Sequence, residues 1–135
     1  MNVSAKIKNS RNDHQVTVSS GSKSQQLTMA SAISGYGSAV SGGELLMLAL
    51  ATCYCNDIYR EAEKRKIKIT QVTVEATGAF LDEGQAAQDI SYTAWLEGDV
   101  SKDEIKVLKR HTNNVAEIQN TLRAGVEVKF GCKKS

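Results

Sequence analysis

The sequence predicts an α+β fold in which antiparallel strands surround one long, buried central helix. Residues 45–55 are almost all apolar or small, and most of them are strong helix formers. Apolar and polar residues alternate in residues 3–29, before this stretch, and in residues 67–98, after it. Such alternation is typical of half-buried strands. Runs of antiparallel strands with separate helices indicate the α+β class.

The size and charge of the chain limit the kinds of protein it can be. Its 135 residues fit a single domain, 1–135, that can bury a core without disulfides. A net charge of +2 from interspersed acids and bases predicts no binding to nucleic acid or to an anionic membrane. We see no charged-then-apolar leader, and the three cysteines then indicate free thiols in a reducing compartment. We therefore expect a cytoplasmic protein.

The chain begins with three predicted strands of an antiparallel meander, at residues 3–8, 15–19 and 23–29. A loop rich in glycine and serine follows at residues 30–43 and leads into the central helix. Loops of this length inside a compact domain are usually functional or mobile.

The central helix has a clear start. Ser41 and Glu44 have the spacing of a capping box, in which each side chain caps the backbone N–H of the other residue. The apolar run from Leu45 to Cys55 is far shorter than the roughly 20 residues that span a bilayer, so we expect a core helix. A helix that is apolar all round is buried on all sides. One small sheet cannot cover it, and we expect a second copy of the chain to cover the rest.

After Asp57 the helix becomes amphipathic. The pattern predicts a solvated Glu61 that pairs with Arg65 at i,i+4 spacing, and a helix end near Lys66. Arg60 shares a face with Cys53, but Asp57 is its nearer partner.

The second half of the chain predicts two long strands, a second helix and a last strand. The strands are residues 67–80 and 86–98, and Ser101 with Glu104 repeats the capping-box spacing. A helical stripe then extends to about Arg123, with a possible break at Asn113-Asn114. Gly125 ends this helix, and residues 126–130 are expected to form the final strand.

The segment from Gly43 to Cys53, followed by Asp57, resembles the OsmC/Ohr family, whose central helix reads Pro-x-Glu-Leu-Leu-Leu-x-Ala-Leu-x-x-Cys with an Asp often shortly after. The order of the later elements agrees, and residues 120–128 are similar to the family's stretch after its second cysteine. The resemblance covers nearly the whole chain. It implies an OsmC-like fold and an intertwined homodimer in which two central helices pack together.

The resemblance also implies a chemistry. Many members of the family are thiol peroxidases for organic hydroperoxides, in which a cysteine of the central helix attacks the peroxide. A second cysteine, on the other helix, resolves the sulfenic acid as a disulfide, and lipoyl-type dithiols commonly reduce it again. By this resemblance Cys53 is the reactive thiol, and neither a cofactor nor a metal is expected.

The chain departs from the family pattern in three places. Gly42 stands where the motif has proline, and Gly43 stands where many of the peroxidases carry a catalytic Glu. Glu44 matches the Glu of another branch, and Ala116 occupies the position of the resolving cysteine. A peroxidase cycle would therefore need an external thiol. The alternative is a non-catalytic OsmC-fold dimer that binds a small apolar ligand at the subunit interface.

Each candidate site residue also has a purely structural interpretation. Cys53 is either a reactive thiol, which needs nearby positive charge or donors, or a small buried hydrophobe. Asp57 shares its helix face and opposes its ionisation. Glu44 lies about 13 Å from Cys53 along the axis and on the opposite side, so a catalytic role requires the helix of a second subunit. Its alternative role is the cap.

The remaining thiols and the histidines carry weaker signals. Cys55 lies about 200° around the helix from Cys53, which favours core packing over a disulfide between them. Cys132, in the basic tail, is either a spectator or a distant resolving thiol. His14 and His111 have no Cys, Asp or Glu at metal-ligand spacing, so we expect no zinc site.

Overall fold

The computed structural model describes residues 1–131, and the chain forms two compact units, Met1–Leu45 and Leu46–Ser135. The first unit contains a three-stranded antiparallel sheet whose strands lie in the order β1-β2-β3, as predicted. The strands are β1 (Val3–Ser10), β2 (Asp13–Ser20) and β3 (Lys23–Leu27). The loop after β3 folds back on the β1–β2 turn, where Asn12 donates its backbone N–H to the carbonyl of Gly35.

The central helix, α1, extends over Gly42–Lys64 and begins with the predicted capping box. The backbone N–H of Glu44 donates to Ser41 Oγ at 3.0 Å, and the N–H of Ser41 donates to Glu44 Oε1 at 3.1 Å. These two bonds satisfy donors that the first turn of a helix otherwise leaves unpaired.

Only one stripe of α1 is buried within a single chain. The buried residues from the middle of the helix onward are Leu50, Tyr54, Asp57, Ile58, Glu61 and Ala62. Leu48, by contrast, is 58% exposed. The strands and helices of its own unit cover only this side of α1, and the sequence-based expectation is that a second copy covers the rest. Cover by a second copy remains a prediction.

The second unit joins α1 to a two-stranded antiparallel sheet and two short helices. The elements are β4 (Ile69–Ala79), β5 (Gln88–Gly98), α2 (Lys102–Val115) and α3 (Glu117–Ala124). Ile58 and Leu108 are fully buried and join α1 to α2, with Ala94 of β5 in the same apolar cluster. The core of this unit therefore lies where α1, α2 and the sheet meet.

The second predicted helix is two helices. The break falls at Ala116, two residues after the predicted Asn113-Asn114, and the backbone of Ala116 is extended. Asn120 donates its N–H to the Ala116 carbonyl, so α3 starts as a new helix with its own first turn. Gly125 ends α3 as predicted, with a left-handed φ of 62° that glycine adopts readily.

The predicted last strand does not form. Residues 126–130 have no regular secondary structure, and Val128 and Phe130 are 94% and 96% exposed. Alternating apolar residues become a strand only when a neighbouring strand supplies hydrogen bonds. None pairs with this segment among residues 1–131. Cys132 lies outside the described residues. Within residues 1–131 no helix is long and apolar enough to cross a membrane.

Truncation of Leu108 tests the packing of α2 on α1. Because this side chain is fully buried, we expect Leu108→Ala to lower the free energy of unfolding by about 2–5 kcal/mol. Val107→Ala is the matched control on the same helix, where the side chain is about half exposed. Urea denaturation followed by circular dichroism measures both variants. Equal, small losses in the two would contradict this core.

Candidate thiol site

Cys53 lies half-buried on α1, at the point where α3 begins. Its single thiol proton is shared between two acceptors, Asp57 Oδ2 at 3.5 Å, one turn further along α1, and Glu117 Oε2 at 3.7 Å. The backbone N–H of Ile118 faces the sulfur closely enough to act on the thiol pKa, which it lowers. The first N–H groups of a helix lack partners within the helix and carry partial positive charge. The sulfur therefore has two carboxylates and one such donor as neighbours.

Arg60 connects the two carboxylates beside the thiol. Its Nη1 lies 3.1 Å from Asp57 Oδ1 and 3.0 Å from Glu117 Oε1, so one guanidinium nitrogen contacts both groups. The predicted pairing of Arg60 with Asp57 is confirmed. Because Glu117 is the first residue of α3, this contact also fixes the start of α3 against α1.

Glu61 is a buried centre of charge and not the solvated residue that the sequence predicts. It is 4% exposed, since it lies on the same buried stripe of α1 as Asp57. Its carboxylate contacts Arg60 Nε at 2.8 Å, Lys64 Nζ at 3.0 Å and His111 Nε2 at 2.7 Å. Among residues 1–131 no ion pair joins it to Arg65, the predicted partner.

The surroundings of Cys53 favour the protonated thiol. Burial raises its pKa above the ordinary value, and the negative charges of Asp57 and Glu117 raise it further, while the Ile118 N–H acts in the opposite direction. Burial also raises the pKa of Asp57, against the effect of Arg60. The pKa of Glu117 is lowered, chiefly by a backbone N–H. Asp57 is therefore the carboxyl group that takes up a proton more readily.

Cys53, Asp57 and Glu117 could together offer one sulfur and two oxygens to a metal, since these atoms lie within 4.8 Å of one another. The sequence did not predict this grouping. Arg60, however, already contacts both carboxylates with a full positive charge. A divalent ion would have to displace that guanidinium against like-charge repulsion. The cluster is therefore better explained as an acid–base environment for the thiol.

The contacts of the other predicted site residues are explained by roles in the fold. Glu44 is exposed, and its pKa is lowered by its bonds to Ser41, as expected for a cap. Cys55 is a free, half-buried thiol. Ala116 is fully buried and directly precedes Glu117.

Glu117 and Ile118 are site residues that the sequence pattern did not predict. The alignment that places Ala116 at the resolving position could have found both, because the residues next to that position must also lie near Cys53.

The chain matches the model of one protein family, described as OsmC-like protein, over residues 35–131. This region contains Cys53, Asp57, Arg60 and Glu117 and covers well over half of the chain. The chain therefore belongs to the OsmC-like protein family, as the resemblance of its central helix predicts.

Solved structures of two kinds of protein share this fold. An OsmC-like protein from Mycoplasma pneumoniae is 19% identical with a TM-score of 0.63, over 90% of this chain and 86% of that one. An organic hydroperoxide resistance protein from Elizabethkingia anophelis is 20% identical with a TM-score of 0.62, over 96% and 93%. Another, from Legionella pneumophila, is 22% identical with a TM-score of 0.60, over 96% and 94%. At these identities the likeness establishes the fold alone. No curated protein sequence matches the chain.

The pH dependence of alkylation tests the electrostatics of the thiol. In a Cys55→Ser, Cys132→Ser background, the measured quantity is the midpoint, the pH at which iodoacetamide reacts with Cys53 at half its maximal rate. We expect this midpoint to lie well above the ordinary thiol pKa of about 8.5. Asp57→Asn should lower this midpoint, because it removes a nearby negative charge. Glu63→Gln removes an exposed acid of the same helix and should leave the midpoint unchanged. A midpoint below 8 in the background protein would contradict the site as described.

Acid unfolding tests the ion pairs of Glu61. The carboxyl pKa is lowered from 4.5 to about 2, first by Arg60 and then by His111 and Lys64. A carboxyl group whose pKa is lower in the folded state than in the unfolded state stabilises the folded protein. This stabilisation is complete above a pH of about 4.5, the pKa of the unfolded state, and is lost as the pH falls from about 4.5 to about 2. We expect Glu61→Gln to be less stable at pH 7 and to lose less further stability over this range. Urea midpoints between pH 7 and pH 2, with Glu63→Gln as the control, measure the difference; parallel curves for the two variants would refute it.

Proposed function

We propose that this protein reduces small organic hydroperoxides through Cys53 and that an external thiol restores the enzyme. The observation that carries the proposal is a partly exposed thiol with a carboxylate within 3.5 Å that can accept its proton. Membership of the OsmC-like family supports it, and so do structural neighbours that are named as organic hydroperoxide resistance proteins. The proposed location is the cytoplasm, where thiol reductants are abundant.

The proposed first step is attack of the Cys53 sulfur on the terminal oxygen of the hydroperoxide. The sulfur–oxygen bond forms as the oxygen–oxygen bond breaks, and the leaving alkoxide takes a proton to become an alcohol. Asp57 accepts the thiol proton during the attack and passes it to the alkoxide. The products are the Cys53 sulfenic acid and one alcohol, so atoms and charge balance.

Asp57 is suited to this proton transfer because its pKa is raised while its position is fixed. Burial moves its pKa towards neutrality, where an acid–base catalyst works best. Arg60 holds the carboxyl group from the side away from the sulfur, using Oδ1, while Oδ2 remains beside the thiol. The Ile118 N–H stabilises the negative charge that develops on the sulfur as its proton leaves.

An external thiol completes the proposed cycle. The sulfenic acid has no cysteine at position 116 to attack it, and Cys55 belongs to the same helix at an unsuitable angle. One thiol forms a mixed disulfide with Cys53 and releases water. A second thiol, most efficiently the other end of the same dithiol, attacks the mixed disulfide, frees Cys53 and leaves as part of a disulfide.

A homodimer is part of the proposal. Leu48 of the central helix and Val128 beyond α3 are apolar and exposed in one chain, which supports cover by a second copy. Glu44 enters the catalytic scheme only if the helix of that second copy brings it to the thiol. Its side chain is engaged by Ser41, so the capping role accounts for it without a partner.

The alternative proposal is a non-catalytic dimer that keeps the OsmC fold and binds a small apolar ligand at the subunit interface. One observation favours it: the net effect of burial and two carboxylates is to raise the pKa of Cys53, opposite to what activates a thiolate. In that case the thiol would be a passive neighbour of the ligand.

Peroxidase turnover separates the two proposals. We expect the purified protein with dithiothreitol or dihydrolipoamide to consume cumene hydroperoxide, and Cys53→Ser to abolish turnover, because the sulfur is the nucleophile. Cys55→Ser is the matched control and should retain at least half the rate. Asp57→Asn should lower kcat about 10²–10⁴-fold, the usual contribution of a general acid–base group. Equal turnover in Cys53→Ser and the unmodified protein would exclude the peroxidase proposal.

A further inference from the structure

Glu61 and the two carboxylates beside Cys53 contact different nitrogens of the same guanidinium. Arg60 Nε donates to Glu61 Oε2 at 2.8 Å, whereas Arg60 Nη1 lies 3.1 Å from Asp57 Oδ1 and 3.0 Å from Glu117 Oε1. Adjacent residues of a helix point about 100° apart, so Arg60 bends around α1 to reach Glu61. Contacts at two nitrogens fix the plane of the guanidinium, while a contact at one nitrogen would leave it free to rotate.

Glu61 is itself held firmly. It is 4% exposed, and groups from two helices contact its carboxylate. His111 of α2 approaches Oε1 at 2.7 Å, and Lys64 of α1 approaches Oε2 at 3.0 Å. The side chain of Arg60, by contrast, is 39% exposed. Glu61 is therefore a buried anchor for a cation whose long side chain could otherwise extend into solvent.

The charges around Arg60 and Glu61 make each the main partner of the other. Within residues 1–131 the charged groups in contact with Glu61 are Arg60, Lys64 and His111, and those in contact with Arg60 are Asp57, Glu61 and Glu117. The Glu61 carboxylate is the main cause that raises the pKa of Arg60, and Arg60 is the main cause that lowers the pKa of Glu61.

We propose that Glu61 is a positioning residue of the thiol site, which fixes Arg60 so that Nη1 stays between Asp57 and Glu117. No hydrogen bond joins Glu61 to Cys53 in the described part of the chain, so it acts through Arg60. Without this anchor Arg60 would leave the two carboxylates, and Asp57 would bind its own proton more tightly. The consequence for catalysis rests on the proposed function, in which Asp57 accepts the thiol proton.

The pH midpoint of Cys53 alkylation tests the proposal, because the two possible effects of losing Glu61 have opposite signs. Removal of its negative charge alone would lower the midpoint. Displacement of Arg60 would raise it, since the carboxylates beside the sulfur would lose their cation. In the background that lacks the other two cysteines, we expect Glu61→Gln to raise the midpoint by about 0.5 pH unit or more. Glu63→Gln, the matched exposed acid of α1, should leave it unchanged.

Further variants show whether Glu61 acts through Arg60. Arg60→Met should raise the midpoint at least as much as Glu61→Gln, and the double variant Arg60→Met/Glu61→Gln should show no further rise. Glu61→Asp keeps the negative charge but is one methylene shorter, so it should also raise the midpoint. It decides the question if circular dichroism shows that Glu61→Gln does not fold.

Peroxidase kinetics add a second readout. In Glu61→Gln the acidic limb of the profile of kcat/KM against pH, with cumene hydroperoxide as substrate, should move to higher pH, because Asp57 then loses its proton at higher pH. A limb that moves to lower pH would contradict the positioning role.

Two results of the alkylation experiment would overturn the proposal: a midpoint that falls or stays unchanged when Glu61 is replaced, or a further rise in the double variant. Alkylation does not depend on peroxide chemistry. An unmodified protein that lacks turnover would therefore reject the proposed function and leave the positioning role to be decided by the midpoints.

Discussion

The contact of Arg60 with two carboxylates is the interaction on which the candidate site depends. Asp57 belongs to α1 and Glu117 to α3, and one guanidinium nitrogen lies within 3.1 Å of both. Without this cation, the buried carboxylate of Asp57 and the exposed carboxylate of Glu117 would repel each other beside Cys53, and the start of α3 would lose its charged contact with α1. The same contact leaves one oxygen of each carboxylate facing the sulfur. The fold and the chemistry of the site thus share one ion-pair cluster.

The site differs from one in which a thiol is activated by surrounding cations. Here burial and negative charge keep Cys53 protonated at rest, and a helix N–H offers only partial compensation. Such a thiol becomes nucleophilic when it loses its proton during the reaction, so a nearby carboxyl group with a raised pKa matters more than a resting thiolate. A protonated resting thiol is also less open to unwanted oxidation and alkylation. This explains how a thiol of low resting reactivity can still fit a peroxidase role.

The sequence predicted correctly those features of the fold that depend on short-range residue patterns. The capping box of Ser41 and Glu44 and the end of α3 at Gly125 follow from short-range rules, and the structure confirms both. The failures come from long-range packing. Glu61 appeared solvated because its neighbours in the sequence are charged, yet the approach of His111 from α2 buries it. The strand expected at residues 126–130 needs a partner that the pattern alone cannot supply. Glu117 is different, since its position next to Ala116 in the family alignment already indicated that it lies near Cys53, and only its pairing with Arg60 required the folded chain.

The most direct test of the account is the site of oxidation itself. One equivalent of cumene hydroperoxide is added to the reduced protein in the presence of dimedone, which traps sulfenic acids, and the peptides are then identified by mass spectrometry. The account predicts a dimedone adduct on Cys53 that forms faster than any on Cys55 and that is strongly reduced in Asp57→Asn. Adducts of equal yield on both cysteines, or no adduct on Cys53, would contradict it.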